Sequence, residues 1–129
     1  MFLLIQQWSQ VLIATAMHKS FQGNKIVING INRMTIKEWK FLDQPNVAVI
    51  TDRRIINGQA YISMVSHDAD DGAWQFLANL PFTEADAILV SLQSVVQVDS
   101  SVEQLAELPL GWRAWRDSKD SQWNISRVD

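Results

Sequence analysis

Apolar residues change their spacing along this 129-residue chain, and the changes predict its elements. Near the start they recur at helical spacing, at Leu4, Trp8, Val11, Leu12 and Thr15. This pattern predicts an amphipathic helix within Met1–Ala16, with a cleaved signal or anchor, or a true start at Met17, as alternatives. We therefore expect an N-terminal helical extension over residues 1–24 and one domain over residues 25–129.

A capping box at Thr35 and Glu38 predicts a short helix that carries Trp39 and Phe41 and ends before Pro45. Beyond it, short apolar runs predict four strands: Val47–Thr51, Ala60–Ser66, Ala73–Leu77 and Ile88–Leu92. The turn signals Asn57-Gly58 and Asp71-Gly72 join the first three strands into an antiparallel meander.

The last third of the chain predicts one more helix and one more strand. Ser100 and Glu103 form a second capping box, which opens a helix over Val102–Leu108. Gly111–Arg116 reads as a short strand, whereas Ser94–Val98 is ambiguous and Asp117–Asp129 is expected to fray. The predicted fold is a single α+β domain, an antiparallel sheet of about four to five strands with two to three helices.

Composition narrows the class of protein. Hydrophobic residues make up 47% of the chain and charged residues 19%, which is typical of a globular domain. The net charge of −3 argues against nucleic-acid binding, because such binding needs a basic surface over the phosphates. The chain has no cysteine, so disulfides and thiolate chemistry are excluded, and a cytoplasmic location is compatible with this.

The acidic turn, Asp68–Asp71, is the first candidate site. Asp68, Asp70 and Asp71 lie beside His67, but the spacing is one residue short of a calcium loop, and Ala78 stands where that loop needs glutamate. Turn stabilisation, partner recognition and a metal site remain open for these carboxylates. Adjacent strand residues point to opposite faces, so His67 and Asp68 cannot form a catalytic pair, and we predict no catalytic residue.

The second candidate is the Trp/Arg segment, Trp112–Arg116. Tryptophan and arginine are enriched at binding hot spots, and Arg113, Trp115 and Arg116 are the candidate contacts. Alternation along a strand separates Trp112 from Trp115, and we expect Trp115 and Arg113 to point outward and Trp112 inward. The alternative is that both tryptophans only cover the sheet.

These two blocks carry a family resemblance. The pattern HDxDDGxWQFL at residues 67–77, followed by LPxGWRAWR at residues 108–116, resembles a family of small bacterial proteins. That family, formerly of unknown function, is grouped with predicted immunity proteins of polymorphic-toxin systems. The resemblance runs from about Asn46 to Trp123. It implies a compact α+β fold, no established catalysis, and a role in binding and neutralising a toxin.

Together with the acidic composition, the resemblance implies a cytoplasmic, non-enzymatic protein that occludes a toxin, and a basic toxin domain would suit the acidic turn. The expected contacts are Asp68, Asp70, Asp71, Arg113, Trp115 and Arg116. We expect no cofactor, no nucleic acid and no membrane partner, and a homodimer through the N-terminal helix stays open as an alternative to a monomer. The alternative is an accessory domain that binds a small ligand or a metal at the acidic turn.

Overall fold

Six short strands carry the fold. The computed structural model describes residues 38–128, so the predictions for the N-terminal extension, its dimer and the start of the helix at Thr35 lie outside the described residues. The strands are β1 (Ala48–Asp52), β2 (Met64–His67), β3 (Trp74–Leu77), β4 (Ala87–Ser91), β5 (Trp112–Trp115) and β6 (Asn124–Arg127).

The described part of the helix predicted from the capping box at Thr35 is not helical. Residues 38–47 contain no helix, and in them Phe41 is buried while Leu42 beside it is exposed. Such a change between neighbours is typical of extended chain. The indole of Trp39 donates a 2.7 Å hydrogen bond to the carbonyl of Asp43, which stabilises the bend before Pro45.

Side-chain caps start the helical segments. The helical segments are α1 (Arg53–Ile56), α2 (Leu92–Val98) and two 3₁₀ helices, Glu84–Asp86 and Ser100–Leu105. Asp52 and Ser91 accept hydrogen bonds from backbone amides in the first turns of α1 and α2, because those amides have no partner within the helix. The ambiguous run Ser94–Val98 is thereby helical. The helix predicted over Val102–Leu108 is instead the second 3₁₀ helix, capped by Asp99.

The strand order is β4-β1-β3-β2-β5-β6. The α+β class of a single small domain is confirmed, with six strands rather than four to five and with one parallel pair, β1 and β3. The predicted meander is wrong, since β3 lies between β1 and β2. Asn57 and Gly58 do not form a hairpin turn. They lie at the end of α1, with Gly58 at φ +81°, so a helix and not a tight turn separates β1 from β2.

The C-terminal residues were expected to fray, and this is wrong for β6. Asn124–Arg127 pairs with all four residues of β5 in antiparallel register. The strand is polar because it forms the edge of the sheet, where only one side of its backbone is paired.

The sheet has two faces with different surroundings. On the first face, side chains of the strands and helices form one hydrophobic core: Val49, Val65, Trp74, Phe76, Ala114, Ile55, Leu92, Val95, Val102 and Leu105. The opposite face, here called the second face, has a central row that the register places side by side: Ile50, Gln75, Ser66, Arg113 and Ser126. Within residues 38–128, no helix has the length and apolar character needed to cross a bilayer.

Candidate functional site

The two sequence blocks meet in the centre of the sheet. Strands β2 and β5 pair so that Ser66 faces Arg113 and His67 faces Trp112. The Gly111 amide also donates a 2.7 Å hydrogen bond to the His67 carbonyl, just before β5 begins. The acidic turn and the Trp/Arg segment are therefore neighbours, although more than thirty residues separate them in sequence.

A cavity of about 330 Å³ opens where the blocks meet. This volume is at the lower end of the range of roughly 300–1,000 Å³ for small-ligand sites. The polar side chains of its lining include Ser66, Asp68, Asp70, Gln75 and Arg113, and apolar walls are supplied by Met64, Leu77 and Val128. Two carboxylates thus share one partly enclosed space with a single guanidinium.

Asp68 is held in place by neutral groups. Its Oδ2 accepts a 2.7 Å hydrogen bond from Nε2 of Gln75, a residue only 4% exposed. Burial raises the pKa of Asp68, an effect that hydrogen bonds from Gln75 and Ser66 partly offset and the charge of Asp71 reinforces. Within residues 38–128, no lysine or arginine nitrogen lies within 4.0 Å of this carboxylate.

The three aspartates of the acidic turn have different roles. The turn closes through hydrogen bonds from Asp68 N to Ala73 O and from Gly72 N to Asp68 O, with Gly72 at φ +73°. Asp71 accepts from the Ala73 amide through its side chain, at 2.9 Å, so it stabilises the turn. Asp70 is exposed and lines the cavity with Asp68.

The His67 imidazole is engaged on the first face. Its ring stacks on Trp74 with centroids 3.9 Å apart, and its Nδ1 lies 2.7 Å from the Leu108 carbonyl. Because a carbonyl oxygen only accepts, Nδ1 carries the proton that is donated. His67 is therefore a structural link between the two blocks.

The two tryptophans of the Trp/Arg segment divide as predicted. Trp115 is 38% exposed, whereas Trp112 is half-buried and packs against the core. Trp115 lies opposite the exposed Met64 on β2, and the Arg113 guanidinium is 5.9 Å from the Trp115 ring. In the described part of the chain, no carboxylate lies within 4.0 Å of Arg113.

Arg116, in contrast, is placed away from this surface. Its side chain is 2% exposed and forms a 2.6 Å ion pair with Asp99. Its guanidinium also lies 4.2 Å from the Trp123 ring centroid. Arg116 was expected to contact a partner, but its side chain is buried and has a structural role. Alternation along the strand direction also places it on the same face as Trp112.

The sequence did not single out Gln75, Ser66 or the apolar walls of the cavity. Ser66 and Gln75 are two polar residues in apolar strands, and they face each other across β2 and β3. Their placement in one site can be seen only when that pairing is known. Across residues 38–128, no group of three or more His, Cys, Asp or Glu side chains is arranged to hold a metal ion. No protein family, curated protein or solved structure matches the chain.

We expect Asp68→Asn to leave the free energy of unfolding at pH 7 within about 1 kcal/mol of the parent, unchanged or raised. The raised pKa means that the folded protein binds this proton more tightly than the unfolded chain does. Ionised Asp68 therefore opposes folding, and its contribution to stability falls as the pH rises from the ordinary aspartate value through the raised pKa. Urea unfolding between pH 3 and pH 7 measures both effects.

Asp86→Asn is the matched control, because its pKa shift has the opposite sign. A backbone hydrogen bond from Thr83 lowers the pKa of Asp86, so that its charge favours folding above the ordinary aspartate value and this contribution is lost on acidification. Marked destabilisation by Asp68→Asn at pH 7 would show instead that the Asp68 charge holds the turn together.

Proposed function

We propose that this chain is a non-enzymatic binding protein that recognises a basic protein partner with its second face. The observation that carries the proposal is the partly desolvated Asp68 carboxylate in the cavity, with no cationic partner in the described residues. A carboxylate in that position gains most from a cation that enters the cavity and excludes the remaining water.

The surroundings of the cavity support a macromolecular partner. Trp115 and Met64 form an exposed apolar pair on the same face, next to a guanidinium without an acidic partner in residues 38–128. A large aromatic side chain beside charged groups is the usual composition of an interface hot spot. The proposed contacts are Asp68, Asp70, Arg113 and Trp115.

A toxin is the partner that the family resemblance favours. Many toxin active sites that act on nucleic acid are basic, and an acidic cavity with an aromatic rim complements such a surface. Neutralisation would then be occlusion, in which this protein covers the toxin site without any chemical step. We include a cytoplasmic location in this proposal, since the toxin would act there.

A small ligand is the second candidate. The cavity volume of about 330 Å³ and the apolar walls would suit one, with Asp68 and Gln75 as its polar contacts. Under this alternative the exposed Trp115 outside the cavity has no role, which is why we prefer the protein partner.

The test is whether this chain protects cells from growth arrest by a toxin encoded beside it. The polypeptide encoded next to this chain is expressed alone and together with it, and growth and affinity are measured. We expect growth arrest that this chain relieves, with Trp115→Ala weakening the affinity by about 2 kcal/mol. The same change should cost no more than about 1 kcal/mol of folding stability, because Trp115 is substantially exposed.

Leu80→Ala is the control for this prediction. Leu80 is also an exposed apolar residue, but it lies after β3 and does not line the cavity. Equal affinities for both variants, or a neighbouring polypeptide that neither arrests growth nor binds, would contradict the proposed function.

A further inference from the structure

We infer that the cavity of the second face is a receptor for one cationic side chain, an ammonium or a guanidinium on an apolar stem, contributed by the protein partner. This inference rests on the proposed function and specifies which group of the partner enters the cavity. It goes beyond the contact surface, since it assigns the chemistry of the inserted group.

The charge at the end of the cavity favours a cation. A carboxylate offers about four acceptor positions, and Gln75 occupies one of those on Asp68 with its 2.7 Å hydrogen bond. Because Gln75 is almost completely buried, it fixes the direction of the carboxylate before any ligand arrives. Asp70 adds a second negative charge to the lining, at the exposed side.

The walls favour a long stem. Met64, Leu77 and Val128 supply apolar surface along the cavity, and the methylene groups of lysine or arginine pack well on such surface while the charged end reaches a polar group. A small inorganic cation would leave these walls without contact.

Arg113 does not neutralise the cavity. Its guanidinium is directed to the Trp115 ring, 5.9 Å away, and forms no ion pair with Asp68. The cavity lining therefore carries two carboxylates, those of Asp68 and Asp70, and one guanidinium, that of Arg113. The cation is expected to bind at the Asp68 end, away from Arg113.

The experiment is an NMR titration of the full chain with three blocked amino acids. N-acetyl-arginine methylamide and N-acetyl-lysine methylamide present the side chain without backbone charges, and N-acetyl-norleucine methylamide is the uncharged control. We expect at least one cationic probe to bind tenfold or more tightly than norleucine, with amide shifts centred on Ser66, Asp68 and Gln75. Asp68→Asn should weaken that binding at least fivefold.

Asp120→Asn is the control variant, because it removes an exposed carboxylate that does not line this cavity. Its affinity for the cationic probes should be unchanged. Equal binding of all three probes, shifts centred elsewhere, or no binding at all would overturn the inference.

Two further outcomes separate this inference from the proposed function. Binding of the protein partner without any binding of the cationic probes would overturn the inference alone. Probe binding, with no rescue and no binding by the neighbouring polypeptide, would overturn the proposed function alone. A free dication such as agmatine that binds a hundredfold more tightly than the blocked probes would show a free metabolite as the occupant, and this also contradicts the inference.

Discussion

Replacement of Arg116 by leucine is expected to lower the free energy of unfolding by about 3–5 kcal/mol, the range for breaking a buried ion pair from one side. The change leaves the Asp99 carboxylate, only 13% exposed, without its 2.6 Å partner. It also removes donors to the Ile62 and Lys119 carbonyls, which lie on different segments. Chemical denaturation at neutral pH measures the loss.

The pH dependence of this effect has a definite sign. Burial by itself raises the pKa of Asp99, but hydrogen bonds from Ser101 and Arg116 outweigh it and bring the pKa below its ordinary value. The ionised pair therefore contributes fully above the ordinary aspartate pKa and is lost as the pH falls towards the lowered one. In Arg116→Leu this acid-dependent loss should be smaller.

Arg113→Leu is the matched control, since it removes the same group from an exposed position on β5, three residues before Arg116. It should change stability by no more than about 0.5 kcal/mol. Asp99→Asn added to Arg116→Leu should recover part of the loss, because it removes the unpaired charge. Equal effects of the two arginine changes would contradict the structural role of Arg116.

Trp74→Ala is expected to cost about 3–5 kcal/mol of folding stability, the range for removal of a large buried aromatic side chain. Trp74 is 2% exposed and contacts aromatic rings on three sides: Phe41 edge-on at 5.4 Å, Phe76 at 5.9 Å and His67 at 3.9 Å. The cavity left behind closes only in part, because His67 and Phe76 belong to the paired strands β2 and β3. Thermal and urea unfolding measure this effect.

Trp74→Phe separates volume from the removal of an aromatic group. It keeps a ring in the stack with His67 and should cost less than half as much as alanine. Trp115→Ala, at the exposed position of β5, should cost no more than about 1 kcal/mol. Similar losses for Trp74→Ala and Trp115→Ala would mean that the two tryptophans are equally structural.

Local signals in the sequence predicted the local parts of the fold. Asp71-Gly72 needs only a positive φ and a side-chain acceptor two residues before Ala73, and the turn forms as expected. Strand positions are close to those predicted for the same reason. Pairing is a different matter, because the hydrophobic pattern of β1 is equally compatible with β2 or β3 as its neighbour. The Asp52 side chain caps a helix that starts directly after β1, where a hairpin was expected.

The candidate site was predictable only in part. Sequence patterns identified both blocks and the outward direction of Trp115, since alternation along a strand is a local property. That Asp68 and Arg113 line the same cavity depends on the register of β2 with β5, and no local signal reports that register. Gln75 is one polar residue among many until Ser66 is found opposite it.

The pairing of β2 with β5 links the candidate site to the order of folding. Val65 and Ala114 face each other although they are 49 positions apart along the chain. Contacts of such separation close large loops, and their entropic cost must be met before any cavity exists. Strands β5 and β6 are also the outermost pair on their side of the sheet, so opening of this pair would break fewer strand pairings than opening of the central strands β1 or β3. Binding of the proposed cationic side chain would therefore depend on the attachment of β5 and β6, and an occupied cavity would strengthen that attachment by mass action.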